Sequence, residues 1–285
     1  MDNSTESDRP FVNALWTSTG VTGCLLNLAL FIVVLVNSTK GFYRYLTLAI
    51  ACCDFICALS GAIMATWYYK VGNGIYCAGF GISMDFPDWA DTTVWIAWVV
   101  AFYGELIIIM YSFVWRAVLI SNSRKVYLFE HKSVFILLVL LSCAIGYCDY
   151  SLDCEKEYTN LTPVEVLQIV LPATLSGLNF FVIAICALFI NHRIKRGSFS
   201  KKTKNTHAKT LFVLSMQAVN PFILNFLVDL IYELALIGVP LPDFLISFIP
   251  FSSLHPSLNA LIILVMTSDH RKFILKIFIP NLSST

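Results

Sequence analysis

The sequence predicts an all-α membrane protein, a bundle of seven transmembrane helices with an extracellular N-terminus. Of its 285 residues, 58% are hydrophobic and only 13% are charged, whereas a soluble domain carries about 25% charged residues. The charges collect in short segments between long apolar stretches. Lipid must therefore be the solvent for much of the apolar surface. One compact bundle accounts for the whole length.

A transmembrane helix needs about 20 mostly apolar residues, and seven stretches meet this requirement. The predicted spans are Val12–Val36, Tyr45–Trp67, Thr92–Ile120, Ser133–Cys148, Val164–Ile190, Lys209–Ile237 and Phe244–Thr267. The fourth span is short, and the sixth contains polar residues. The domain plan that follows is an extracellular N-terminus (1–11), a seven-helix transmembrane domain (12–267) and a cytoplasmic tail (268–285).

The distribution of Lys and Arg predicts the orientation, because basic residues are retained on the cytoplasmic side. With the N-terminus outside, 16 of the 19 basic residues fall in cytoplasmic segments, and Arg9, Lys70 and Lys156 fall outside. A six-span or eight-span arrangement would invert the later loops and spoil this division. The glycosylation sequons at Asn3 and Asn160 also fall outside, which predicts a glycoprotein modified at these two residues.

The common enzyme motifs are missing from the sequence. It contains no His-Glu-x-x-His, no Gly-x-Ser-x-Gly, no phosphate-binding glycine loop and no Cys-x-x-Cys pair. Of the five histidines, only His255 lies in a predicted span, and no cluster resembles a metal site. We therefore expect no enzymatic activity, no cofactor, no bound metal and no nucleic-acid partner.

Two carboxylates, Asp54 and Glu105, lie deep inside predicted spans. A charge at mid-bilayer costs a few kcal/mol, so both side chains should face the interior of the bundle. One interpretation is a site for a ligand, an ion or a proton. The other is a polar network between helices, with Asn27, Asn225 and Asn259 as its partners. We favour the network for Asp54, whereas Glu105 remains a candidate ligand-binding residue in the outer half.

Prolines interrupt the last three spans, at Pro172, Pro221, Pro250 and Pro256. Each removes a backbone hydrogen bond and can kink its helix, which makes Pro221 and Pro256 candidate hinges. Between the fifth and sixth spans, residues 191–209 carry seven basic residues and no acid. This segment could contact an intracellular partner or anionic lipid, although retention on the cytoplasmic side explains it equally well.

Three of the nine cysteines, Cys77, Cys148 and Cys154, lie at or near the oxidising outer face. A disulfide between Cys77 and Cys154 would tie the first outer loop to the second. Cys148 is the competing partner, and the spacing does not choose between them.

Several stretches resemble the nematode seven-transmembrane chemoreceptors of the Str superfamily, which are themselves similar to G-protein-coupled receptors. The stretches are Asn27, Gly41-Phe-Tyr-Arg-Tyr-Leu46, Tyr103-Gly104 with Phe113-Val-Trp-Arg116, Gln217-x-x-x-Pro221, Pro256-Ser-Leu-Asn-Ala-Leu261 and Asp269-His-Arg-Lys272. The chain departs from the family pattern at Trp115 and Ala117, which replace tyrosines beside the arginine. It also departs at Asn259-Ala260 and at His270.

The resemblance implies an olfactory-type receptor that detects a small external molecule and signals through a heterotrimeric G protein. It would lie in the plasma membrane, in contact with lipid, and in the cilium of a sensory neuron. The expected G-protein surface includes Arg116 and the basic residues Lys201, Lys202 and Lys204. The main rival is a multi-span transporter or channel that uses Asp54 and Glu105 along a polar path.

Overall fold

Long helices make up almost all of the described chain. The structure, a computed structural model, describes residues 3–37, 41–71, 74–79, 82, 86–121, 126–150, 163–236, 239, 242 and 249–278. The helices are α1 (Asn3–Asn37), α2 (Phe42–Met64), α3 (Asp88–Ile120), α4 (Val126–Phe129), α5 (Lys132–Tyr150), α6 (Pro163–Arg196), α7 (Lys201–Pro221), α8 (Leu227–Leu236), α9 (His255–Met266) and α10 (Ser268–Phe278). A π-helical turn (Phe222–Phe226) joins α7 to α8, and a 3-10 turn (Ile249–Leu254) leads into α9.

Each predicted span corresponds to a helix or to a helix broken by a turn. The first five spans match α1, α2, α3, α5 and α6, the sixth is divided among α7, the π-helical turn and α8, and the seventh is represented by the 3-10 turn and α9. Four described helical segments are long and apolar enough to cross a membrane as they stand: Asn13–Asn37, Phe42–Met64, Trp89–Ile120 and Ala173–Arg196. The segment Pro250–Met266 meets the same requirement only together with Ser268–Lys276, which is bent from it by 85°.

The second span ends earlier than the sequence predicts. We expected it to reach Trp67, but α2 ends at Met64, where Ala65 takes a left-handed conformation with φ 41° and donates its N–H to the Gly61 carbonyl. This left-handed residue closes the helix. An antiparallel hairpin follows, with β1 (Thr66–Val71) paired to β2 (Gly74–Gly79). The sequence analysis did not predict this hairpin.

The core of the bundle surrounds α3. Every residue from Ala101 to Ile109 is buried, and α3 packs against α2, α5, α6 and α7. On the other side of α2, α1 lies so close that a Cβ atom built on Gly20 would stand 2.5 Å from the Cβ of Ala62. α9 packs against α1, α2 and α7. Side chains from α2, α3, α7 and α9 can therefore meet in the interior.

The two candidate hinge prolines occupy different positions. Pro221 ends α7, and it cannot donate a hydrogen bond to the carbonyl of Gln217. The helix widens into the π-helical turn directly after it. Pro256, in contrast, lies in the first turn of α9. Its missing N–H costs little there, because the first N–H groups of a helix have no partner within the helix. Pro256 therefore marks the start of α9 rather than a kink inside a continuous α-helix.

Candidate functional site

A buried polar cluster joins three helices at the centre of the bundle. It consists of Asp54 from α2, Glu105 from α3, and His255 and Asn259 from α9, all of which are at most 2% exposed. The amide nitrogen of Asn259 donates to Asp54 Oδ2 at 2.7 Å and to Glu105 Oε1 at 3.0 Å. His255 Nε2 lies 2.5 Å from Glu105 Oε2 and 3.6 Å from Asp54 Oδ1. Each of the two carboxylates therefore has a contact with α9.

A fourth helix reaches the cluster through Asn220, at the end of α7. Its side-chain nitrogen lies 3.0 Å from His255 Nδ1 and also donates to the His255 carbonyl at 3.0 Å. An amide nitrogen can only donate, so with this orientation of Asn220 the Nδ1 atom accepts. The imidazole is then neutral, and its Nε2–H donates to Glu105. α2, α3, α7 and α9 are thus linked by one chain of hydrogen bonds.

The structure brings together some of the predicted network and separates the rest. Asp54 and Asn259 are in direct contact. Asn27 lies beside the cluster, where its amide donates to the carbonyls of Gly23 and Pro256 at 3.0 Å and 3.1 Å and so ties α1 to the start of α9. Asn225 is buried in the π-helical turn. Glu105 is a member of the central cluster, and its role as a ligand contact stays a prediction.

No cluster in the sequence resembles a metal site, but the fold brings three possible ligand residues together. Asp54, Glu105 and His255 each offer a ligand atom, and these atoms all lie within 4.8 Å of one another. The three residues come from distant parts of the sequence, so their spacing carried no metal-site pattern. The sequence does contain one indication of the cluster: His255 and Asn259 are four residues apart and therefore share a helix face.

A cavity adjoins the cluster. It is small and partly open, it lies between α1, α2, α3, the two turns and α9, and its walls include Trp16, Trp98, Phe102, Asn225, Ser253 and His255. Trp16 and Ser253 are 5% and 6% exposed, and neither Trp16 Nε1 nor Ser253 Oγ has a hydrogen-bond partner among the described residues. Small-molecule sites commonly combine apolar walls with a few polar groups in this way.

A second polar contact lies near the end of α3, at Arg116. This residue is only 8% exposed, and its Nη2 lies 3.4 Å from Nδ1 of His207 on α7. The pKa of His207 is lowered, because burial disfavours the charged imidazole and Arg116 repels it. Sequence reasoning singled out Arg116 but missed His207, which lies among basic residues that suggest a solvated segment.

Neighbouring groups pack α4 onto the same end of α3. Trp115 Nε1 donates to Glu130 at 3.3 Å, and the Tyr111 hydroxyl donates to the Phe129 carbonyl. Phe42, at the start of α2, contacts the rings of Tyr111 and Trp115. The end of α3 is thus held by aromatic and polar contacts from the segment that follows it.

The basic residues of the candidate G-protein surface are at the start of α7. Lys201 and Lys202 are exposed, and Lys204 donates to the Lys195 carbonyl at 3.3 Å. Ser200 caps the helix by accepting from the Thr203 N–H. Arg116, near the end of α3, is buried and contacts His207 of α7, so it lies close to the start of α7 but in a different environment from the exposed lysines.

Two sets of predictions fall partly outside the described residues. Cys77 lies on β2, opposite Tyr68 of β1, whereas Cys154 is not among the described residues, so the Cys77–Cys154 disulfide stays a prediction. Asn3 is the first residue of α1, and Asn160 also lies outside the described residues. Glycosylation at both positions stays a prediction as well.

The sequence matches one protein-family model, described as serpentine type 7TM GPCR chemoreceptor Str, over residues 143–275. The matched stretch includes Gln217 to Pro221 and the motif that begins at Pro256. No curated protein matches the chain.

Among solved structures, the fold is similar to the crystal structure of squid rhodopsin. The TM-score is 0.70 at 13% sequence identity, with 96% of this chain and 85% of the squid rhodopsin chain covered. The predicted fold class, an all-helical membrane bundle of the seven-transmembrane type, is confirmed by this likeness.

Proposed function

Because the chain belongs to the Str family of serpentine seven-transmembrane chemoreceptors, we propose that it detects a small external molecule and signals through a heterotrimeric G protein. It is a multi-pass membrane protein and not an enzyme. Its site of action in this proposal is the plasma membrane, in the cilium of a sensory neuron. The N-terminus faces outside, as the distribution of basic residues predicts.

The observation that carries the proposal is a pair of polar contacts between helices at different heights of the bundle. At one height, Glu105 on α3 meets His255, which meets Asn220 on α7. At the other height, Arg116 on α3 meets His207 on α7. The two heights are eleven residues apart along α3, which corresponds to about 16 Å in an α-helix. A movement of α7 relative to α3 would disturb both contacts.

The cavity is the place where we propose that the external ligand binds. Asn225 and His255 line it; Asn225 follows Asn220 by five residues, and His255 is in contact with Asn220. A molecule that contacts the π-helical turn and His255 would change the energy of the Asn220–His255 contact. If it binds one arrangement of α7 better than the other, it shifts the population toward that arrangement.

Pro221 is the proposed pivot of α7, between the cavity and the Arg116–His207 contact. It stands between Asn225, which lines the cavity, and His207, which meets Arg116. The part of α7 before Pro221 can therefore swing with little change at the cavity. Separation of His207 from Arg116 would expose a surface formed by Arg116 and the start of α7, with Lys201, Lys202 and Lys204.

Charge complementarity supports a G protein as the partner at this surface. The segment from Asn191 to Lys209 has seven basic residues and no acid, and Lys201 and Lys202 are exposed. An exposed basic surface favours association with an acidic partner face. Anionic lipid is a further contact for the same residues.

A ligand screen with a second-messenger readout tests the proposal. Cells that express the chain are exposed to small volatile and water-soluble compounds, and the active compounds are then applied to two variants. One variant is Arg116→Ala, and the other carries Lys201→Glu, Lys202→Glu and Lys204→Glu together. We expect both variants to lose most of the response while binding of the active compound persists.

Surface labelling of an N-terminal tag controls for trafficking in these cells. A matched control is Lys276→Glu, since Lys276 is also exposed but lies in the last turn of α10. The proposal fails if both variants reach the surface and respond as the wild-type protein does.

A further inference from the structure

We propose that Asp54, Glu105 and His255 form a binding site for a divalent transition-metal ion with the ligand preferences of Zn²⁺. The site would join α2, α3 and α9 through one ion. This inference concerns metal binding alone, so it can be tested whether or not the chain signals through a G protein.

The distances between the three side chains fit a small ion. Zn²⁺ binds imidazole nitrogen and carboxylate oxygen at about 2.0–2.2 Å, so two ligands of a tetrahedral ion lie about 3.4 Å apart. His255 Nε2 and Asp54 Oδ1 are 3.6 Å apart. His255 Nε2 and Glu105 Oε2 are 2.5 Å apart and would separate by about 1 Å around the ion. Small side-chain rotations are sufficient for this change.

The charge of the cluster also fits a divalent ion. Asp54 and Glu105 are both fully buried. Within the part of the chain that the structure describes, His255 is the only basic side chain within ion-pair distance of either carboxylate. Two buried carboxylates need protons or a cation, because an isolated buried charge is costly. One dication neutralises both of them.

An unpartnered atom points to the same conclusion. Among the residues that the structure describes, no group forms a hydrogen bond with the buried Asp54 Oδ1, which lies 3.6 Å from His255 Nε2. A buried carboxylate oxygen without a donor is unfavourable, and coordination of an ion would satisfy it. Asn259 would remain outside the coordination sphere, where its amide donates to the other oxygens of the two carboxylates and orients them.

Metal binding requires one change of tautomer, and Asn220 can accommodate it. Nε2 must give up its proton to become a ligand, and Nδ1 then carries the proton, so the imidazole stays neutral. Rotation of the Asn220 amide turns its oxygen toward Nδ1, and this oxygen accepts the hydrogen bond, while the bond that the nitrogen donates to the His255 carbonyl is given up. Asn220 thereby takes the role of the outer partner that usually fixes the tautomer of a metal-bound histidine.

The donor set favours a transition metal over the common hard cations. Imidazole nitrogen suits Zn²⁺, Cu²⁺ and Ni²⁺, whereas Mg²⁺, Ca²⁺ and monovalent ions take oxygen ligands. His255 also lines the cavity, which provides a route from that side to the ion. Once bound, the ion would hold α2, α3 and α9 in the arrangement of this structure.

The test measures metal in the purified full-length protein in lipid nanodiscs. After equilibration with Zn²⁺ and removal of loosely held ions, bound zinc is counted by mass spectrometry, and the thermal midpoint is measured with Zn²⁺, Mg²⁺ or Na⁺. We expect one Zn²⁺ per chain and a rise of the midpoint with Zn²⁺ alone. His255→Asn, Glu105→Gln and Asp54→Asn should each weaken zinc binding at least about tenfold.

His192→Asn is the matched control, because His192 is an exposed histidine on α6, and its loss should leave the buried zinc in place. Co²⁺ absorption of the wild-type protein provides a measurement that needs no variant. We expect the intense visible bands of a four-coordinate ion. The proposal is overturned if the wild-type protein retains no zinc, if zinc binding survives His255→Asn, or if Na⁺ or Mg²⁺ raises the midpoint as much as Zn²⁺.

Discussion

At the scale of single residues, Asn259 holds the centre of the bundle together with one amide group. Its nitrogen donates to a carboxylate on α2 and to another on α3. Asn259→Leu removes both donors and leaves carboxylate oxygens buried without them. We expect the free energy of unfolding to fall by about 1–3 kcal/mol for each donor lost, measured as a lower thermal midpoint of the purified protein.

The control for this substitution is Asn205→Leu, which makes the same change at an exposed position of α7. It should leave the midpoint nearly unchanged. Equal midpoints for Asn259→Leu and the wild-type protein would show that the cluster contributes nothing to stability.

His207 should make stability depend on pH. Its pKa in the folded protein lies below the usual value of 6.5, so the unfolded chain takes up a proton first as the pH falls. Stability contributed by the neutral imidazole is therefore present above pH 6.5 and is lost as the pH decreases below it. We expect the thermal midpoint to fall between about pH 7.5 and about pH 5.5, and His207→Gln to reduce this fall. An identical pH profile for the variant would contradict the prediction.

The sequence revealed some members of the central cluster because they stand out in apolar surroundings. Asp54, Glu105 and Asn259 were recognised in this way, as carboxylates and an amide inside predicted spans. His255 and Asn220 were not assigned a role, since a single histidine or asparagine in a helix fits many environments. Which of these residues touch depends on the packing of four helices, and no local pattern encodes it.

At the scale of elements, the π-helical turn after Pro221 is the most distinctive feature of the bundle. Pro221→Ala supplies an N–H that can bond to the Gln217 carbonyl and allows a regular α-helix. We expect slower hydrogen exchange of the amides in residues 222–226, measured by mass spectrometry of the corresponding peptide. Pro250→Ala, the same substitution in the 3-10 turn, should leave that peptide unchanged. Faster or equal exchange in Pro221→Ala would remove the support for a pivot there.

The close approach of α1 and α2 depends on Gly20. A Cβ atom at this position would lie 2.5 Å from Ala62 Cβ and 2.7 Å from the Ala58 carbonyl oxygen. Gly20→Ala therefore forces the helices apart, and we expect a loss of about 1–3 kcal/mol of unfolding free energy. Gly177→Ala is the control, because the nearest atom to its added Cβ, Phe226 Cζ, is 3.8 Å away. Thermal midpoints of the two variants that do not differ would contradict this packing argument.

Helix positions were predictable from the length of the apolar stretches, but the breaks between them were not. α3 and α6 match their predicted spans because long apolar runs leave few alternatives in lipid. α2 ends before Trp67 because Ala65 adopts a left-handed conformation, a choice that an alanine does not signal. The division of the sixth span also depends on the local geometry after Pro221.

At the scale of the whole molecule, the account rests on the position of α7 relative to α3. The central cluster links the two helices through His255 of α9, and the Arg116–His207 contact links them directly. A ligand that disturbs the first contact should also open the second. In this account, ligand binding in the cavity moves α7 about Pro221, and this movement exposes the basic surface at the start of α7.

The distance between the start of α7 and the segment after α3 measures this relation directly. Spin labels are attached at Lys204→Cys and Leu128→Cys, in a protein in which Cys52 and Cys143, exposed among the described cysteines, and Cys148, predicted at the outer face, are replaced. Double electron–electron resonance is recorded with and without an active compound from the screen. We predict that the compound lengthens the distance by several ångströms and that Pro221→Ala reduces the change. A compound that evokes a full signal while the distance stays the same would contradict the account.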